Sequence, residues 1–175
     1  MFNFRERISM STKFFNLEFL NKLSVDAKKN RRKRQHFNLH ESFKDPCQRL
    51  FNAIEPGSYI RPHRHAFDPR DELLIAVRGL MVLVLFDDLG NLTQIFPFGI
   101  NKNKRKYAIG AEVSAKDWHT VIALQEGCVL IEVKAGPFNS ELPKELAPWA
   151  PNETSPDAKS YLENLLARVN NFNLK

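Results

Sequence analysis

The sequence predicts a mainly β fold, a closed barrel or sandwich of eight short strands with one helix before it and one after it. Between residues 48 and 134, segments rich in aliphatic and β-branched side chains alternate with turn signals, and no helical period interrupts them. On both sides of that region, apolar residues recur at helical spacing instead. A chain of 175 residues is long enough for one domain with its own core.

The first helix is predicted over residues 16–29, where Asn16 can act as the N-cap. Its predicted apolar face consists of Leu17, Leu20, Leu23 and Ala27. The run Lys28–Arg34 then places six cations in seven residues and accounts for the whole net charge of +6. We interpret this run as a solvated linker rather than a nucleic-acid or anion patch, because no aromatic residue is interleaved with the charges. We therefore expect no nucleic-acid partner.

Eight strands are predicted in the middle of the chain. They cover Gln48–Ile54, Ser58–His65, Glu72–Arg78, Leu80–Phe86, Leu92–Phe98, Lys106–Val113, His119–Leu124 and Cys128–Lys134. Turn signals separate them, among them a break at Arg78-Gly79. The polar segment Asp87–Asn91 between two apolar strands predicts a hairpin.

The strand pattern ends at Gly136-Pro137. Prolines and Trp149 between positions 137 and 155 indicate an extended segment laid over the barrel. Ser155 and Pro156 then predict the start of a second helix. Its apolar face is predicted to be Tyr161, Leu162, Leu165, Leu166 and Val169. We therefore divide the chain into a lead, helix and basic linker (1–35), a barrel (36–136) and a C-terminal extended segment with a helix (137–175), and we expect residues 1–11 of the lead to be disordered.

Composition argues against a membrane or secreted protein. The longest apolar run, Leu80–Phe86, has seven residues, far fewer than the roughly 20 of a membrane helix. The N-terminus lacks the pattern of a secretory signal. Cys47 and Cys128 have no CxxC spacing, and we interpret both as reduced thiols of a cytoplasmic protein.

Four residues form a candidate metal site. Residues two apart on a strand share a face, so His63 and His65 project side by side. Glu72 opens the next apolar strand, and two imidazoles with one carboxylate match the sites of iron, manganese, nickel or zinc. His119 is the candidate fourth ligand, and Trp118 beside it can wall a pocket. Alternatively, the histidines are surface or core polar residues and Glu72 is a charge at a strand edge.

Strand parity extends this site toward a substrate. Arg61 has the parity of His63 and is predicted to pair with an anionic substrate group, or else to form a salt bridge at the barrel mouth. Tyr59 has the same parity and is a candidate hydrogen-bond donor or general acid. His36 is expected to be exposed, and His40 to reach the barrel mouth.

The site residues resemble the first cupin motif, in which a glycine, a His-x-His pair, a glutamate and a second glycine follow in order. Here these are Gly57, His63, His65, Glu72 and Gly79, with six residues before the glutamate where three or four are usual. The second cupin motif keeps only His119. Its proline, glycine and asparagine are replaced by Ser114, Lys116 and Ala123.

A longer resemblance is to the bacterial WbuC family, whose members are described as cupin-fold metalloproteins often encoded beside O-antigen or other surface-polysaccharide genes. The matching segments are Phe37–Ser42, Asp45–Leu50, Pro56–His65, Leu85–Asp88, Trp118-His119, Glu132–Phe138 and Ala147–Pro151. The resemblance implies a cupin-type double-stranded β-helix, or jelly roll, with one divalent metal ion. It adds Arg49 and Lys134 to the pocket candidates and implies no established reaction.

Three classes of function fit these features. The first is a metal-dependent enzyme acting on a small anionic or sugar-derived molecule, such as an isomerase or epimerase. The second is a cupin dioxygenase, and the third is a non-catalytic module that senses a small ligand or a metal. A homodimer is expected if the N-terminal phenylalanines pack between chains, whereas packing on the chain's own barrel is the alternative. These phenylalanines are Phe2, Phe4, Phe14, Phe15 and Phe19.

Overall fold

The computed structural model describes residues 12–100, 107–139, 141 and 144–171, and in this part of the chain two helices flank a set of antiparallel strands. The helices are α1 (Leu17–Lys29) and α2 (Ala158–Asn171). The strands are β1 (Arg34–Asn38), β2 (Cys47–Ile54), β3 (His63–Arg64), β4 (Glu72–Phe86), β5 (Leu92–Ile100), β6 (Gly110–Val113), β7 (Trp118–Ala123), β8 (Cys128–Ala135) and β9 (Glu145–Leu146). The predicted mainly β architecture with a helix at each end is confirmed.

The long strand β4 joins two antiparallel sheets. Its first half pairs with β8 and β6, and its second half pairs with β7 and β5. The strand order is β1-β2-β8-β4-β7-β3-β9. Because one strand contributes to both sheets, the sheet curls around an interior instead of lying flat. The predicted hairpin at Asp87–Asn91 connects β4 to β5, and the Asp87 carboxylate accepts hydrogen bonds from the backbone N–H groups of Leu89 and Asn91.

The predicted strand break at Arg78-Gly79 is wrong, because β4 continues through it. Gly79 has a φ of +80°, a left-handed conformation that glycine adopts without the steric cost of a side chain. The register on β8 also shifts between Ala76 and Arg78. The chain therefore bends from one sheet into the other while keeping its pairing, which a turn signal in the sequence does not distinguish from a loop.

Replacing Gly79 with alanine is expected to lower the free energy of unfolding by about 3 kcal/mol, from left-handed strain and overpacking together. An added Cβ would lie 2.6 Å from Cys128 Sγ and 3.1 Å from Cys128 Cα. Gly127 provides the control, because its φ is also positive but the nearest atom to its Cβ would be a guanidinium nitrogen of Arg78 at 3.4 Å. Urea denaturation should show a clearly smaller loss for G127A than for G79A. Equal losses would contradict the steric argument.

Two other segments differ from their predictions. Of Ser58–His65, only His63 and Arg64 form a strand, because the preceding backbone carbonyls are bonded by side chains and not by the backbone of a neighbouring strand. The carbonyl of Tyr59 accepts from the Arg34 guanidinium, and the carbonyl of Ile60 accepts from the Thr120 hydroxyl. Conversely, β9 lies within the predicted extended C-terminal segment and pairs with β3.

Helix α1 packs on the outer face of β2 and β8. Asn16 caps it as predicted, accepting a 2.9 Å hydrogen bond from the N–H of Phe19. Leu17 is 72% exposed, so its placement on the buried face is wrong, and Ser24 is buried instead. The guanidinium of Arg78 donates to the Ser24 hydroxyl and to the Leu20 carbonyl, which holds that side of the helix against the barrel.

The basic run is less uniform than a solvated linker. Its first two lysines belong to α1, and its last residue, Arg34, begins β1 and is buried. Arg34 donates two hydrogen bonds, of 2.7 and 2.6 Å, to the carboxylate of Glu153. The linker interpretation is therefore wrong for Arg34, because a carboxylate more than 100 residues later makes its burial favourable.

The described N-terminal phenylalanines pack mainly on the barrel. Phe15 and Phe19 contact the rings of Phe37 and Phe51, whereas Phe14 is 76% exposed. Residues 1–11, with Phe2 and Phe4, lie outside the described residues, as does the start of the predicted strand Lys106–Val113. Neither α1 nor α2 has the length and apolar character that a helix needs to cross a bilayer.

Helix α2 covers the opposite side of the barrel. It begins at Ala158, two residues after the predicted first helical position, Pro156, and the Ser155 hydroxyl accepts from the N–H of Asp157. Its buried residues Leu162, Leu165 and Val169 join a cluster with residues from β4 and β7. The two helices thus cover outer faces of the sheets and leave the concave inner face free to form a site.

Candidate metal centre

The predicted metal ligands converge on the inner face of the barrel. His63 on β3 lies directly opposite His119 on β7, and Glu72 is the first residue of β4. His65 follows β3 and its N–H donates to the carbonyl of Ala115, which keeps it close to the turn before β7. All four side chains are buried, and each offers one ligand atom within 4.8 Å of the other three.

Two of the imidazoles have their orientation and tautomer set by the backbone. Nδ1 of His63 lies 3.0 Å from the Arg61 carbonyl, and Nδ1 of His119 lies 2.9 Å from the Asp117 carbonyl. A carbonyl oxygen can only accept, so each Nδ1 donates its hydrogen and each Nε2 keeps a free lone pair. This is the state in which histidine binds a metal ion, with its other ring nitrogen bonded to a backbone carbonyl.

The third imidazole, that of His65, gives a test of whether a metal ion fits the site. Nε2 of His65 lies 2.7 Å from Oε1 of Glu72, yet it is buried without a hydrogen bond, so the two atoms are close but not aligned as donor and acceptor. Nε2 of His119 lies 3.4 Å from Oε2 of the same carboxylate. Three imidazole nitrogens and one carboxylate that crowd together in this way fit a shared cation of the first-row divalent type.

The protonation states also suit a metal. Burial, with further effects of Lys144 and His119, lowers the pKa of His63 well below its usual value. Burial alone would raise the pKa of Glu72, but the neighbouring His119, His65 and Lys134 hold it well below its usual range. A neutral imidazole and an ionised carboxylate are the forms that act as ligands.

Strand β8 adds two charged groups beside this cluster. Nζ of Lys134 lies 2.5 Å from Oε1 of Glu72 and 3.4 Å from Oε1 of Glu132. Burial and the nearby negative charge of Glu72 raise the pKa of Glu132 to about 7. Lys134 and Glu132 therefore add two further ionisable side chains next to the four candidate ligands.

A cavity of about 370 Å³ opens on the four residues. Alternate residues of β1, β2 and β8 face it, as strand geometry requires. Its apolar wall is formed by Phe43, Leu50, Ile54, Ile60, Leu74, Val121, Leu130 and Phe138. Its further polar lining includes Arg34, His36, Asn38, His40, Gln48, Asn52, Glu132, Lys134 and Lys144. Sequence reasoning missed Asn52, Glu132 and Lys144, although the alternation along β2 and β8 carried a signal for the first two.

The structure separates the predicted pocket residues. Lys134 lines the cavity, whereas Tyr59, Arg61, Trp118 and Arg49 do not. Arg61 faces away because residues 58–62 are not a strand, so parity fails there and Ile60 faces inward instead. Trp118 is adjacent to His119 in sequence and therefore points to the opposite face of β7, as Arg49 does relative to its neighbours on β2.

Three of these outlying side chains have partners elsewhere. The Tyr59 hydroxyl donates to the Pro151 carbonyl at 2.9 Å, and burial raises the pKa of this hydroxyl above its ordinary value. The Arg61 guanidinium donates to the Ala147 carbonyl at 2.6 Å. The Trp118 indole N–H donates to the Asp88 carboxylate at 2.9 Å. Tyr59 and Arg61 attach the C-terminal segment to the barrel, and Trp118 bonds to the β4–β5 turn.

Comparison with known proteins gives a partial match to one family model without an assigned activity, and a fold with many relatives. A family model described as a domain of unknown function, DUF6016, matches residues 15–98. No curated protein sequence matches the chain. Among solved structures, the chain is similar to protein SO0799 from Shewanella oneidensis, with 12% identity, a TM-score of 0.50, and coverage of 69% of this chain and 82% of that one.

Two further structures show weaker likeness. The protein TT1209 from Thermus thermophilus has 16% identity and a TM-score of 0.47, with coverage of 71% of this chain and 97% of that one. The capsular polysaccharide assembling protein CapF from Staphylococcus aureus has 18% identity and a TM-score of 0.48, with coverage of 63% of this chain. The match spans only 29% of CapF.

Two antiparallel sheets share β4 and close around one cavity, with the histidine and glutamate side chains of β3, β4 and β7 facing inward. The fold is that of the cupins. The long gap between His65 and Glu72 is accommodated as a surface loop, where Asp71 accepts a 2.8 Å hydrogen bond from the N–H of Ala115. The replaced residues of the second cupin motif also leave its turn intact, since the N–H of Asp117 donates to the carbonyl of Ser114.

Proposed function

We propose that this cupin holds one divalent first-row metal ion through His63, His65, Glu72 and His119, and that it acts on a small anionic or sugar-derived molecule in the adjoining cavity. The observation that carries the proposal is the convergence of four buried ligand atoms within 4.8 Å at the wall of that cavity. Iron, manganese, nickel and zinc all suit the donor set. When bound, such an ion supplies Lewis-acid or oxygen-activating chemistry.

The protein's own groups support a role with an anionic ligand. Lys134 and Lys144 line the cavity, and apolar side chains cover much of the remaining wall. Glu132 faces the same space and lies beside Lys134. An open cavity next to the ligands favours a ligand-processing protein over a sealed metal sensor.

We further propose that the chain is related to the WbuC proteins and works in the cytoplasm in O-antigen or other surface-polysaccharide biosynthesis. The support is the series of sequence segments that agree in order with that family, from Phe37 to Pro151. We also propose a homodimer in which Phe14 packs between chains, because Phe14 is 76% exposed whereas Phe15 and Phe19 pack on the chain's own barrel. Neither the DUF6016 match nor the cupin fold depends on this relationship.

The test is elemental analysis of protein purified without chelator. We expect about one metal ion per wild-type chain and a large loss in H63A, because a missing imidazole leaves three ligands. The variant H36A is the matched control, since His36 lies at the exposed side of the cavity and outside the ligand cluster. Absence of metal from the wild-type protein, or equal metal content in H63A and H36A, would overturn the proposal.

The identity of the metal then separates the enzyme classes. Iron or copper with substrate-dependent oxygen uptake would indicate the dioxygenase alternative. Manganese, nickel or zinc with turnover of a phosphosugar or activated sugar would support the isomerase or epimerase alternative. A metal-loaded protein that neither consumes oxygen nor turns over any member of a broad sugar panel would favour the non-catalytic module.

A further inference from the structure

Apart from the proposed metal ligand His65, two buried side chains in the cavity have polar atoms without a partner among the described residues. Nε2 of His40 and Oδ1 of Asn52 both lie in side chains more than nine-tenths buried, at 7% and 6% exposure. Both residues line the same 370 Å³ cavity. Unpartnered buried polar atoms are costly, so each requires a ligand or an ordered water molecule.

The hydrogen-bond role of His40 follows from its contact with β2. Nδ1 of His40 lies 3.1 Å from the backbone nitrogen of Arg49 and 3.0 Å from the Arg49 carbonyl oxygen. The carbonyl already accepts a 2.8 Å hydrogen bond from the N–H of Leu39, whereas the Arg49 N–H can only donate and is directed at Nδ1. Nδ1 therefore accepts, and the ring hydrogen is on Nε2. A partner at Nε2 must be an acceptor, such as a carboxylate oxygen.

Asn52, in contrast to His40, requires a hydrogen-bond donor as its partner. Its orphaned atom is the amide oxygen, which only accepts, so its partner must be a hydroxyl or an N–H. His40 contacts β2 at Arg49, and Asn52 lies three residues further along the same strand. Three residues of strand span about 10 Å. A chain of about four to six carbon atoms with a hydrogen bond at each end covers that span.

The charge of the cavity selects among such molecules. Lys134 already has carboxylate partners in Glu72 and Glu132. Lys144 also lines the cavity, and it forms no ion pair with any carboxylate in the described part of the chain. A cation left over in a partly buried cavity favours an anionic ligand.

We propose that the cavity binds a short hydroxylated carboxylate, whose carboxylate accepts from His40, whose distant hydroxyl donates to Asn52, and whose negative charge is complementary to Lys144. This assignment names the ligand class of the proposed function and rests on it for the identity of the site. It does not depend on which metal is bound, because neither His40 nor Asn52 belongs to the ligand cluster.

Three six-carbon probes test the two ends separately by isothermal titration calorimetry. Gluconate has a carboxylate and hydroxyls, sorbitol has only hydroxyls, and hexanoate has only the carboxylate. We expect wild-type protein to bind gluconate about tenfold or more tightly than either of the others, because each lacks one hydrogen-bonding end. Absence of gluconate binding, or equal binding of all three, would overturn the proposal and leave ordered water as the occupant.

Matched variants separate the contacts. N52L removes the amide oxygen at similar volume and is expected to weaken gluconate about tenfold while leaving hexanoate unchanged. H40N keeps an acceptor for Arg49 but removes Nε2, and it should weaken both carboxylates by a similar factor. N170L, the same change at an exposed position of α2 outside the cavity lining, should have little effect. An N52L protein that binds gluconate as tightly as N170L would overturn the Asn52 contact.

Metal content is measured on the same samples, which distinguishes the two proposals. Protein without metal that still shows the gluconate pattern would refute the metal site and retain the ligand assignment. Metal-loaded protein that shows no preference for gluconate would refute the ligand assignment and retain the metal site. H40N and N52L should both keep the wild-type metal content, since neither residue is among the four proposed ligands.

Discussion

Replacement of Glu72 by glutamine is expected to abolish tight metal binding. Glu72 supplies the only negative charge among the four predicted ligands, and its carboxylate lies within 3.4 Å of two of the three imidazoles. The loss should exceed the roughly 10- to 100-fold effect of removing a residue that only supports a ligand. Competition with a chromogenic chelator measures the affinity, and elemental analysis measures the residual metal.

Lys134 provides the control for this prediction. It contacts the same carboxylate and is similarly buried, but an ammonium group cannot coordinate a metal. The variant K134M should therefore keep one metal ion per chain. If E72Q binds metal as tightly as the wild type, or if K134M loses it equally, Glu72 acts through the local charge balance and is not a ligand.

Replacement of Arg34 by methionine is expected to lower the free energy of unfolding by about 3 kcal/mol, the range for loss of one partner of a buried ion pair. The Arg34 side chain is 6% exposed and donates to Glu153 and to the Tyr59 carbonyl. Its removal leaves a partly buried carboxylate without its closest cation and frees one attachment of the C-terminal segment. Urea denaturation monitored by tryptophan fluorescence measures the change.

Arg32 makes the matched comparison. It contacts the same carboxylate at 3.0 Å, but its side chain is 59% exposed. Exposed ion pairs contribute about 1 kcal/mol or less, so R32M should be close to wild type in stability. Similar losses for R32M and R34M would show that burial of the guanidinium is not the source of the stability.

Much of the fold is visible in the sequence because local chemistry specifies it. Asn16 is a good N-cap in any context, and the polar Asp87–Asn91 segment between apolar strands forms its turn through its own side chains. Gly79 shows where this reasoning stops. A glycine with positive φ serves a loop and a strand bend equally well, so only the pairing of β4 with both sheets tells them apart.

The candidate site divides in the same way. His63 and His65 share a face because the side-chain period of an extended strand is two, and the sequence alone determined that pairing. The same rule misplaces Tyr59 and Arg61, only a few residues earlier, because their segment bonds to Glu153 and Ala147 from the C-terminal part of the chain. The two-residue alternation of side chains applies only where the backbone forms a regular strand.

The sequence by itself determined a mainly β fold with helices at its ends, its resemblance to the cupin motifs, and the choice of the four candidate ligands, since these depend on local spacing and on motifs. Only the tertiary structure decided that the four meet on one face, that Arg34 is buried against Glu153, and that His40, Asn52 and Lys144 line the same cavity. These facts depend on contacts between residues that lie from 7 positions apart, as His65 and Glu72 do, to 119 positions apart, as Arg34 and Glu153 do. Such contacts are set by how the two sheets close around β4, and no local pattern encodes them.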